Sequence, residues 1–306
     1  MKESFKTTIG GQALIEGVMM KGPSKTAYAV REPNGEIALR VDENNSVLDR
    51  YRFLNLPVVR GVVKLVEAMA TGIDAMMYAA SFWEEEEEES FFERHLPKHS
   101  KTLESIFTVG VSFLLAVLFF MILPNLMATF FESRIESVFL LNLVEGIFRL
   151  FVFFLYLALV SRQKDIARVF AYHGAEHKSI ACYEAGAPLE VEEVKKYSRL
   201  HPRCGTSFLF MVVLLSIFVL SFFGWPTLLG RIFSRILAFP LIAGIGYEVN
   251  RLVGKYDNAL TKLLRYPGLA IQKHFTVREP DEEQIAVGIA SLKAVLPEAG
   301  ESDLWN

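Results

Sequence analysis

The chain has 306 residues, of which 52% are hydrophobic and 25 are phenylalanine. The apolar residues are concentrated in four blocks of roughly 20 residues, the length that crosses a bilayer, so we expect an integral membrane protein and not a soluble one. A formal net charge of −3 excludes recruitment of nucleic acid through overall charge. Two cysteines are too few for a disulfide scaffold.

Residues 1–57 predict a small, turn-rich segment with β-structure. The stretch AYAVREPNGEIALRV contains two alternating runs around Pro33-Asn34-Gly35, which is typical of a β-hairpin. The preceding stretch GGQALIEGVMMKGP is rich in glycine, and we expect backbone turns with positive φ at Gly10, Gly11, Gly17 and Gly22.

Residues 58–102 predict an amphipathic helix followed by an acidic linker. Apolar residues recur at helical spacing from Val58 to Met77, with charged residues between them. Such a helix either lies on the membrane surface or packs on the N-terminal segment, and the sequence leaves both arrangements open. Six consecutive glutamates, Glu84 to Glu89, predict a solvated linker.

Four stretches predict transmembrane helices. They form two hairpins: 103–160, with spans at 103–123 and 138–160, and 205–247, with spans at 205–223 and 227–247. Lys and Arg are abundant in 161–204 and beyond residue 250 but scarce between the paired spans, which favours a cytoplasmic location for both termini and for the 161–204 loop. The C-terminal tail, 248–306, carries an amphipathic helix started by acids after Pro280. The expected fold is therefore mainly α: a multi-pass protein of the cell membrane, in contact with the lipid bilayer, with a small N-terminal β-hairpin segment and cytoplasmic helical extensions.

The sequence AYHGAEHKSI provides the strongest chemical pattern. The second span should continue beyond the bilayer as one helix, on which His173 and His177 are neighbours and Glu176 lies beside them. Histidines spaced i and i+4 on a helix can bind one metal ion. His-x-x-Glu-His is also the inverted zincin pattern, in which both histidines bind zinc and the glutamate acts as general base on bound water.

A metal site of this kind needs further ligands. Four candidates lie at the cytoplasmic side of the predicted topology: Cys182, His201, Cys204 and Glu248. A catalytic site would keep one coordination position open, whereas a closed set of His173, His177, Cys182 and Cys204 would only clamp the loop. The residues leave both alternatives open.

The second predicted span also contains charged residues. Glu145 and Arg149 are spaced to pair at i and i+4, with Asn142 on the same face. Groups of this kind either form an intrahelical ion pair that fixes packing, or line a polar cavity used by a substrate or a partner helix.

Five stretches together make the chain recognisable: GGQALIEGVMMKGP, YHGAEHKSI.CYE, HPRCGTSF, AGIGYE and VREPDEEQI. Over residues 8–292 the chain resembles the bacterial membrane family of unknown function typified by the YqhQ protein, whose members are regarded as predicted metal-dependent enzymes. The resemblance implies functional roles for His173, Glu176, His177, Glu184, His201, Cys204 and Glu248, and for Gly10, Gly11, Glu16 and Gly17 near the N-terminus.

Two functions follow from these patterns. The first is a membrane-embedded zinc-dependent hydrolase at the cytoplasmic face, in which Glu176 takes a proton from the water that attacks a peptide or ester carbonyl. The alternative is a non-enzymatic accessory to another membrane protein, for example in translocation or quality control. In that case the His/Cys cluster is structural, and Glu145 and Arg149 bind the partner's helix.

Overall fold

The computed structural model describes residues 5–83 and 100–304. The chain divides into two compact units. We call the first the sheet unit; it comprises Met1–Trp83, Leu157–Val212 and Ala243–Asn306. The second, the helical unit, comprises Glu84–Tyr156 and Val213–Ile242. The predicted acidic linker, Glu84 to Glu89, lies outside the described residues.

A four-stranded antiparallel sheet forms the centre of the sheet unit. Its strands follow the chain order β1-β2-β3-β4. They are β1 (Gly10–Leu14), β2 (Gly17–Lys21), β3 (Lys25–Arg31) and β4 (Ile37–Glu43). The predicted hairpin is confirmed, since β3 and β4 pair from Arg31↔Ile37 to Lys25↔Glu43. Its turn contains Gly35 with φ 89°, a conformation that glycine adopts without steric cost.

The glycine-rich stretch before this hairpin forms strands β1 and β2, so the prediction of positive φ at its glycines is wrong. None of the glycines in this stretch has a positive φ. Close backbone approach explains the small residues instead. A Cβ on Gly17 would lie 2.6 Å from the Ala29 carbonyl oxygen, and one on Gly22 would lie 2.3 Å from that of Val295. The positive φ of the β1–β2 turn belongs to Glu16, at 49°.

Helices cover both faces of the sheet. On one face, helix α2 (Val59–Ala80) packs through Ala75 and Ala79 onto a cluster that includes Leu14 and Tyr28. On the other face lie α6 (Lys164–Glu184) and α11 (Glu282–Ala294), whose buried side chains meet those of β2 and β3. The remaining helices are α1 (Val47–Arg50), α3 (Ser100–Val117), α4 (Leu123–Thr129), α5 (Val138–Val160), α7 (Val191–Val194), α8 (Thr206–Ser221), α9 (Leu228–Lys255) and α10 (Ala259–Ile271).

Helix α2 has two apolar faces. The face toward the sheet consists of small residues, including Gly72, Ala75 and Ala79. The opposite face carries large hydrophobic side chains that are exposed: Val59, Val66, Met69, Ile73 and Met77. The helix therefore packs on the sheet, the second of the two arrangements considered, and still presents an apolar stripe about 100° wide to its surroundings.

The predicted amphipathic helix near the C-terminus is confirmed as α11. Asp281 is its N-cap and accepts a hydrogen bond from the Gln284 N–H, while the Gln284 side chain accepts one from the Asp281 N–H. This capping box satisfies two backbone donors at the helix start. It fixes where the helix begins, two residues after Pro280.

Three helical stretches in the described part of the chain are long and apolar enough to cross a membrane: Leu103–Thr129, Val138–Val160 and Leu228–Lys255. The predicted span 205–223 corresponds to a shorter apolar helix, Phe210–Ser221 within α8. Membrane association is thus supported by three candidate spans, which correspond to three of the four predicted ones.

The first span does not end at Pro124 as predicted. A π-helical turn, Leu118–Ile122, leads into α4, so the helical path continues to Thr129. Proline lacks the N–H that would bond the carbonyl four residues earlier, which is that of Phe120. Arg149 supplies the missing donor, since its Nε donates to the Phe120 oxygen over 3.2 Å.

The second span and the histidine-bearing helix are predicted to form one continuous helix, but the structure has two separate helices. Helix α5 ends at Val160 and α6 begins at Lys164. Gln163 is the N-cap of α6 and has extended backbone angles, φ −71° and ψ 136°. Residues 173–177 therefore belong to a separate helix of the sheet unit.

Candidate metal centre

Helix α6 holds its histidines in a tightly packed position. Almost every residue from Ala171 to Cys182 is buried. A Cβ on Gly174 would lie 2.1 Å from the Arg278 carbonyl oxygen, so glycine here permits close approach of the segment that precedes α11. The helix ends at Glu184, shortly before Gly186, which has φ 66°. Packing on both sides leaves the histidine side chains little freedom of orientation.

His173 is oriented by a backbone carbonyl. Its Nδ1 lies 2.9 Å from the oxygen of Thr276, and because a carbonyl only accepts, Nδ1 carries the proton. The other nitrogen, Nε2, then presents a lone pair, and it lies 3.2 Å from Cys204 Sγ. Thr276 belongs to a π-helical turn, Gln272–Thr276, a distortion that is frequent at functional sites.

His177 repeats this arrangement. Its Nδ1 donates to the Arg199 carbonyl oxygen over 2.7 Å. Its Nε2 is buried and has no hydrogen-bond partner among the described residues. Burial lowers the pKa of His177, which keeps the ring neutral near pH 7. A buried imidazole lone pair without a partner is costly in a protein interior, unless it serves as a ligand.

Cys204 completes a group of three donor atoms. One atom each from His173, His177 and Cys204 lies within 4.8 Å of the other two. Two imidazole nitrogens and one thiolate are the donors that zinc favours, and three protein ligands leave a coordination position open. Ligand histidines in such sites usually donate their second N–H to a carbonyl or carboxylate, as both rings do here. The donor set therefore fits a zinc ion.

Glu176 lies beside this group with one carboxylate oxygen engaged. Oε1 accepts a hydrogen bond from the Gly11 backbone N–H over 3.0 Å, and Oε2 is buried without a partner in the described structure. Burial raises the pKa of this carboxyl. A carboxylate with a raised pKa and one unoccupied oxygen is suited to accept a proton near neutral pH.

A cavity of about 220 Å³ adjoins these side chains. Its lining includes Glu176, His177, His201, Cys204 and residues 7–11. Glu176 and His177, which each carry a buried polar atom without a partner in the described structure, thus both line the cavity. It lies wholly within the sheet unit.

Glu184 supports one wall of this cavity through two of its lining residues, His201 and Arg203. Glu184 accepts a hydrogen bond from the Thr7 N–H over 2.8 Å and pairs with Arg203, and its Oε2 lies 3.6 Å from His201 Nε2. Burial opposes ionisation of Glu184, but hydrogen bonding with His201 and the charge of Arg203 outweigh it and lower the pKa. Glu184 is thus an ionised carboxylate that holds two cavity residues in place.

His201 is further fixed through its backbone. Gln272, which is fully buried, accepts from the His201 N–H and donates to the His201 carbonyl, both over 3.0 Å. The rings of His177 and His201 are 5.5 Å apart between centroids. His201 thus lines the site but stands outside the three-atom donor group.

Two predicted ligands lie elsewhere in the fold. Glu248 forms a two-pronged ion pair with Arg60, at 2.6 Å for each N–O contact. Cys182 is buried in an apolar cluster with Val194 and Ile285, and its thiol donates to the Pro188 carbonyl over 3.4 Å. Burial raises the pKa of Cys182 to about 11. The closed set containing Cys182 is therefore not assembled.

Glu16 does not reach the donor group either. Arg168 donates to both of its oxygens, over 2.5 and 2.6 Å, and the Tyr172 hydroxyl donates to Oε2 over 3.0 Å. These bonds connect the β1–β2 turn to α6. Glu16 thus fixes the helix against the sheet.

The charged residues of the second span are paired within the helical unit. Glu145 accepts from Arg149 and from Arg235, each over 2.6 Å, so the predicted i,i+4 pair is present. Arg235 also donates to Asn142, and Asn125 donates to Glu145. Every charge of the set has a partner from within the unit.

Several residues that contribute to the site could not be identified from the sequence. Thr276 and Arg199 act through backbone carbonyls, and Gly11 acts through its N–H, groups that every non-proline residue carries. Gln272 lies in a helix end without any motif. Only Gly11 gave a signal, as part of the glycine-rich stretch.

Comparison with known proteins agrees with the motifs. Residues 56–298 match the family described as "Protein of unknown function (DUF1385)". The chain belongs to this family. The DUF1385 match contains all three residues of the donor group, while β1–β4 lie before it. The chain is also 33% identical over 302 residues to "Uncharacterized protein YqhQ" of Bacillus subtilis (strain 168), with 96% of this chain and 94% of that protein covered. No solved structure matches the chain.

Proposed function

We propose that this protein is a zinc-dependent hydrolase with a metal centre made of His173, His177 and Cys204. One observation carries the proposal: His173 Nε2 lies 3.2 Å from Cys204 Sγ, and His177, whose ring belongs to the same donor group, has an Nε2 that is buried without a hydrogen-bond partner among the described residues. Backbone carbonyls fix both tautomers in the form that binds metal. When bound, zinc supplies Lewis acidity that lowers the pKa of a water and polarises a carbonyl.

Glu176 is the general base in this proposal. The Gly11 N–H holds Oε1, so the carboxylate cannot rotate freely, and Oε2 accepts the proton of a water molecule in the cavity. The same oxygen returns the proton to the leaving group of a peptide or ester substrate. Glu184 pairs with Arg203 and so holds this lining residue in place.

The proposed membrane arrangement has four spans with both termini in the cytoplasm. Three candidate spans and the short apolar helix α8 support the count, and the positive residues of 161–204 and the C-terminal region support the orientation. The exposed apolar stripe of α2 suits contact with the lipid surface. The metal centre then acts at the cytoplasmic face of the cell membrane.

The non-enzymatic alternative has less support. A closed structural zinc site needs a fourth protein ligand, and Cys182 is held in a separate apolar cluster. Glu145 and Arg149, the residues expected to bind a partner's helix, are paired inside the helical unit. A purely structural site also gives no reason for a buried Glu176 oxygen that has no hydrogen-bond partner among the described residues.

Metal analysis of the purified full-length protein tests the proposal. We expect about one zinc per chain, lost in His177→Ala and Cys204→Ser but retained in Glu176→Gln and in His274→Ala, an exposed histidine that serves as control. Glu176→Gln should also fail to restore the wild-type phenotype of a strain that lacks the protein. Full restoration by a metal-loaded Glu176→Gln variant would refute the catalytic mechanism, and absence of metal from the wild type would refute the centre.

A further inference from the structure

A second, larger cavity adjoins the candidate metal centre. This groove has a volume of about 940 Å³, large enough for a small-molecule ligand, and lies within the sheet unit. It shares Thr8, Gly10, Gly11 and Arg203 with the smaller cavity. A Cβ at Gly10 would meet no atom within 4 Å, so the strand backbone is open at the shared boundary.

Positive charge predominates along the groove. The charged side chains of its lining are Lys21, Lys64, Arg203 and Arg251 against Asp49 and Glu67. Glu67 is already engaged, since it pairs with Lys64 over 3.0 Å and accepts from Ser46 and from the Val47 N–H. Arg203 is likewise paired, with Glu184.

Two further cations, Lys21 and Arg251, are not held in direct ion pairs with described residues, although the carboxylates of Glu67 and Glu248 are near enough to act on their charges. Among the described residues neither Lys21 nor Arg251 forms an ion pair or a side-chain hydrogen bond. Lys21 is half-buried on the last position of β2, where burial and the charge of Lys64 outweigh the attraction of Glu67 and lower its pKa. Because Glu67 pairs directly with Lys64, a further anion in the groove would stabilise the partly desolvated Lys21 ammonium. Asp49 also lines the groove but is a single exposed carboxylate.

We propose that this groove binds a phosphate group of the substrate, held by Lys21 and Arg251, while the bond to be cleaved reaches the metal centre past Gly10 and Gly11. A lysine acts as a point charge for phosphate, and an arginine offers two parallel donors to its oxygens. The substrate assignment rests on the proposed hydrolase function, whereas phosphate binding itself does not. The phosphate belongs either to a lipid headgroup or to a soluble ester. One wall consists of Tyr247, Asn250 and Arg251, in the C-terminal part of a helix long enough to span a membrane.

Calorimetric titration of the full-length protein in a neutral, phosphate-free detergent tests this assignment. The probes are inorganic phosphate, glycerol 3-phosphate and dibutyryl phosphatidic acid, a water-soluble lipid analogue. We expect Lys21→Met and Arg251→Met each to weaken binding about tenfold, and Lys21→Arg to retain it. Lys293→Met, on an exposed lysine of α11, should bind as the wild type does. Tighter binding of the phosphatidic acid than of glycerol 3-phosphate would identify a lipid headgroup, and equal binding a soluble ester.

The same titration in His177→Ala separates the two proposals. If the groove holds the phosphate, this variant loses metal but keeps its phosphate affinity. Phosphate binding that falls in His177→Ala and is unchanged in both Lys21→Met and Arg251→Met would place the anion on the metal and overturn the groove assignment. A wild type that binds none of the three probes would overturn it as well. A metal-free protein whose phosphate binding depends on Lys21 would instead leave the groove intact and refute only the zinc centre.

Discussion

Gly11 donates its backbone N–H to Glu176 Oε1 over 3.0 Å and so joins the first strand of the sheet to the helix that carries both histidines. The two residues are 165 positions apart in the chain. A glycine is required because a Cβ at this position would lie 2.3 Å from the Met19 carbonyl oxygen and 3.1 Å from Glu176 Cδ. The orientation of the proposed general base therefore depends on a residue without a side chain.

Gly11→Ala should destabilise the fold and displace Glu176. We expect a loss of about 1–3 kcal/mol in the free energy of unfolding, because the backbone of β2 cannot yield as a flexible side chain would. Metal content should remain at the wild-type level, since none of the three donor residues is touched. Denaturant unfolding in detergent and metal analysis measure the two effects.

Gly10→Ala is the matched control for this substitution. A Cβ at Gly10 meets no atom within 4 Å, so the change in unfolding free energy should stay within about 0.5 kcal/mol. Equal destabilisation by the two variants would show that strand propensity, and not contact with Met19 and Glu176, decides the effect.

Gln272 should be essential for the position of His201. Its amide satisfies both the N–H and the C=O of the His201 backbone in a buried environment. Gln272→Leu leaves both groups without a partner, which we expect to cost more than about 2 kcal/mol of unfolding free energy. Gln163→Leu, at an exposed helix start, serves as control and should be nearly neutral. A loss no larger than that of the control would mean that water replaces the amide.

Local signals account for the elements that the sequence predicted well. The β3–β4 hairpin has Pro33-Asn34-Gly35 in its turn, and α11 has Asp281 and Gln284 as a capping box. The β1–β2 hairpin lacked such a signal. Its strands have only five residues each, and β2 is buried at four consecutive positions, so no alternation of apolar and polar residues marks it.

The candidate site was predictable where its geometry is helical and unpredictable where it depends on distant contacts. The i,i+4 spacing of His173 and His177 is a property of one helix, and their side chains do converge. Whether Glu248 joins them depends on whether a cation competes for it. Arg60 does so from 188 residues away, and nothing in the sequence around Glu248 reveals that pairing.

The stability of the sheet unit should depend on pH through Glu16. Burial opposes its ionisation, but hydrogen bonds from Arg168 and Tyr172 outweigh this and lower its pKa below the ordinary 4.5. A carboxyl with a lowered folded-state pKa stabilises the fold fully above its unfolded-state pKa, and this stability is lost as the pH falls through the folded-state pKa. Because the Arg168 side chain is half exposed, we expect a contribution of about 1 kcal/mol at neutral pH.

Thermal unfolding of Glu16→Gln between pH 7 and pH 3 measures this contribution. The variant should be less stable than the wild type at pH 7, and the difference should shrink as the pH falls below about 4.5. Glu190→Gln, at an exposed carboxylate, should follow the wild-type curve throughout. A difference between Glu16→Gln and the wild type that stays constant with pH would indicate lost packing and not lost charge.

Glu145 should be the residue on which the helical unit depends most. Its carboxylate is the shared partner of Arg149 and Arg235, whose side chains are 15% and 3% exposed. Glu145→Gln leaves two buried guanidinium groups without a counter-charge, and we expect a cost of about 3–5 kcal/mol, seen as a lower thermal midpoint in detergent. Glu136→Gln, at an exposed carboxylate of the same unit, serves as control and should cost less than about 0.5 kcal/mol. Similar midpoints for the two variants would mean that the arginines find other acceptors, as Arg149 already does at the Phe120 carbonyl.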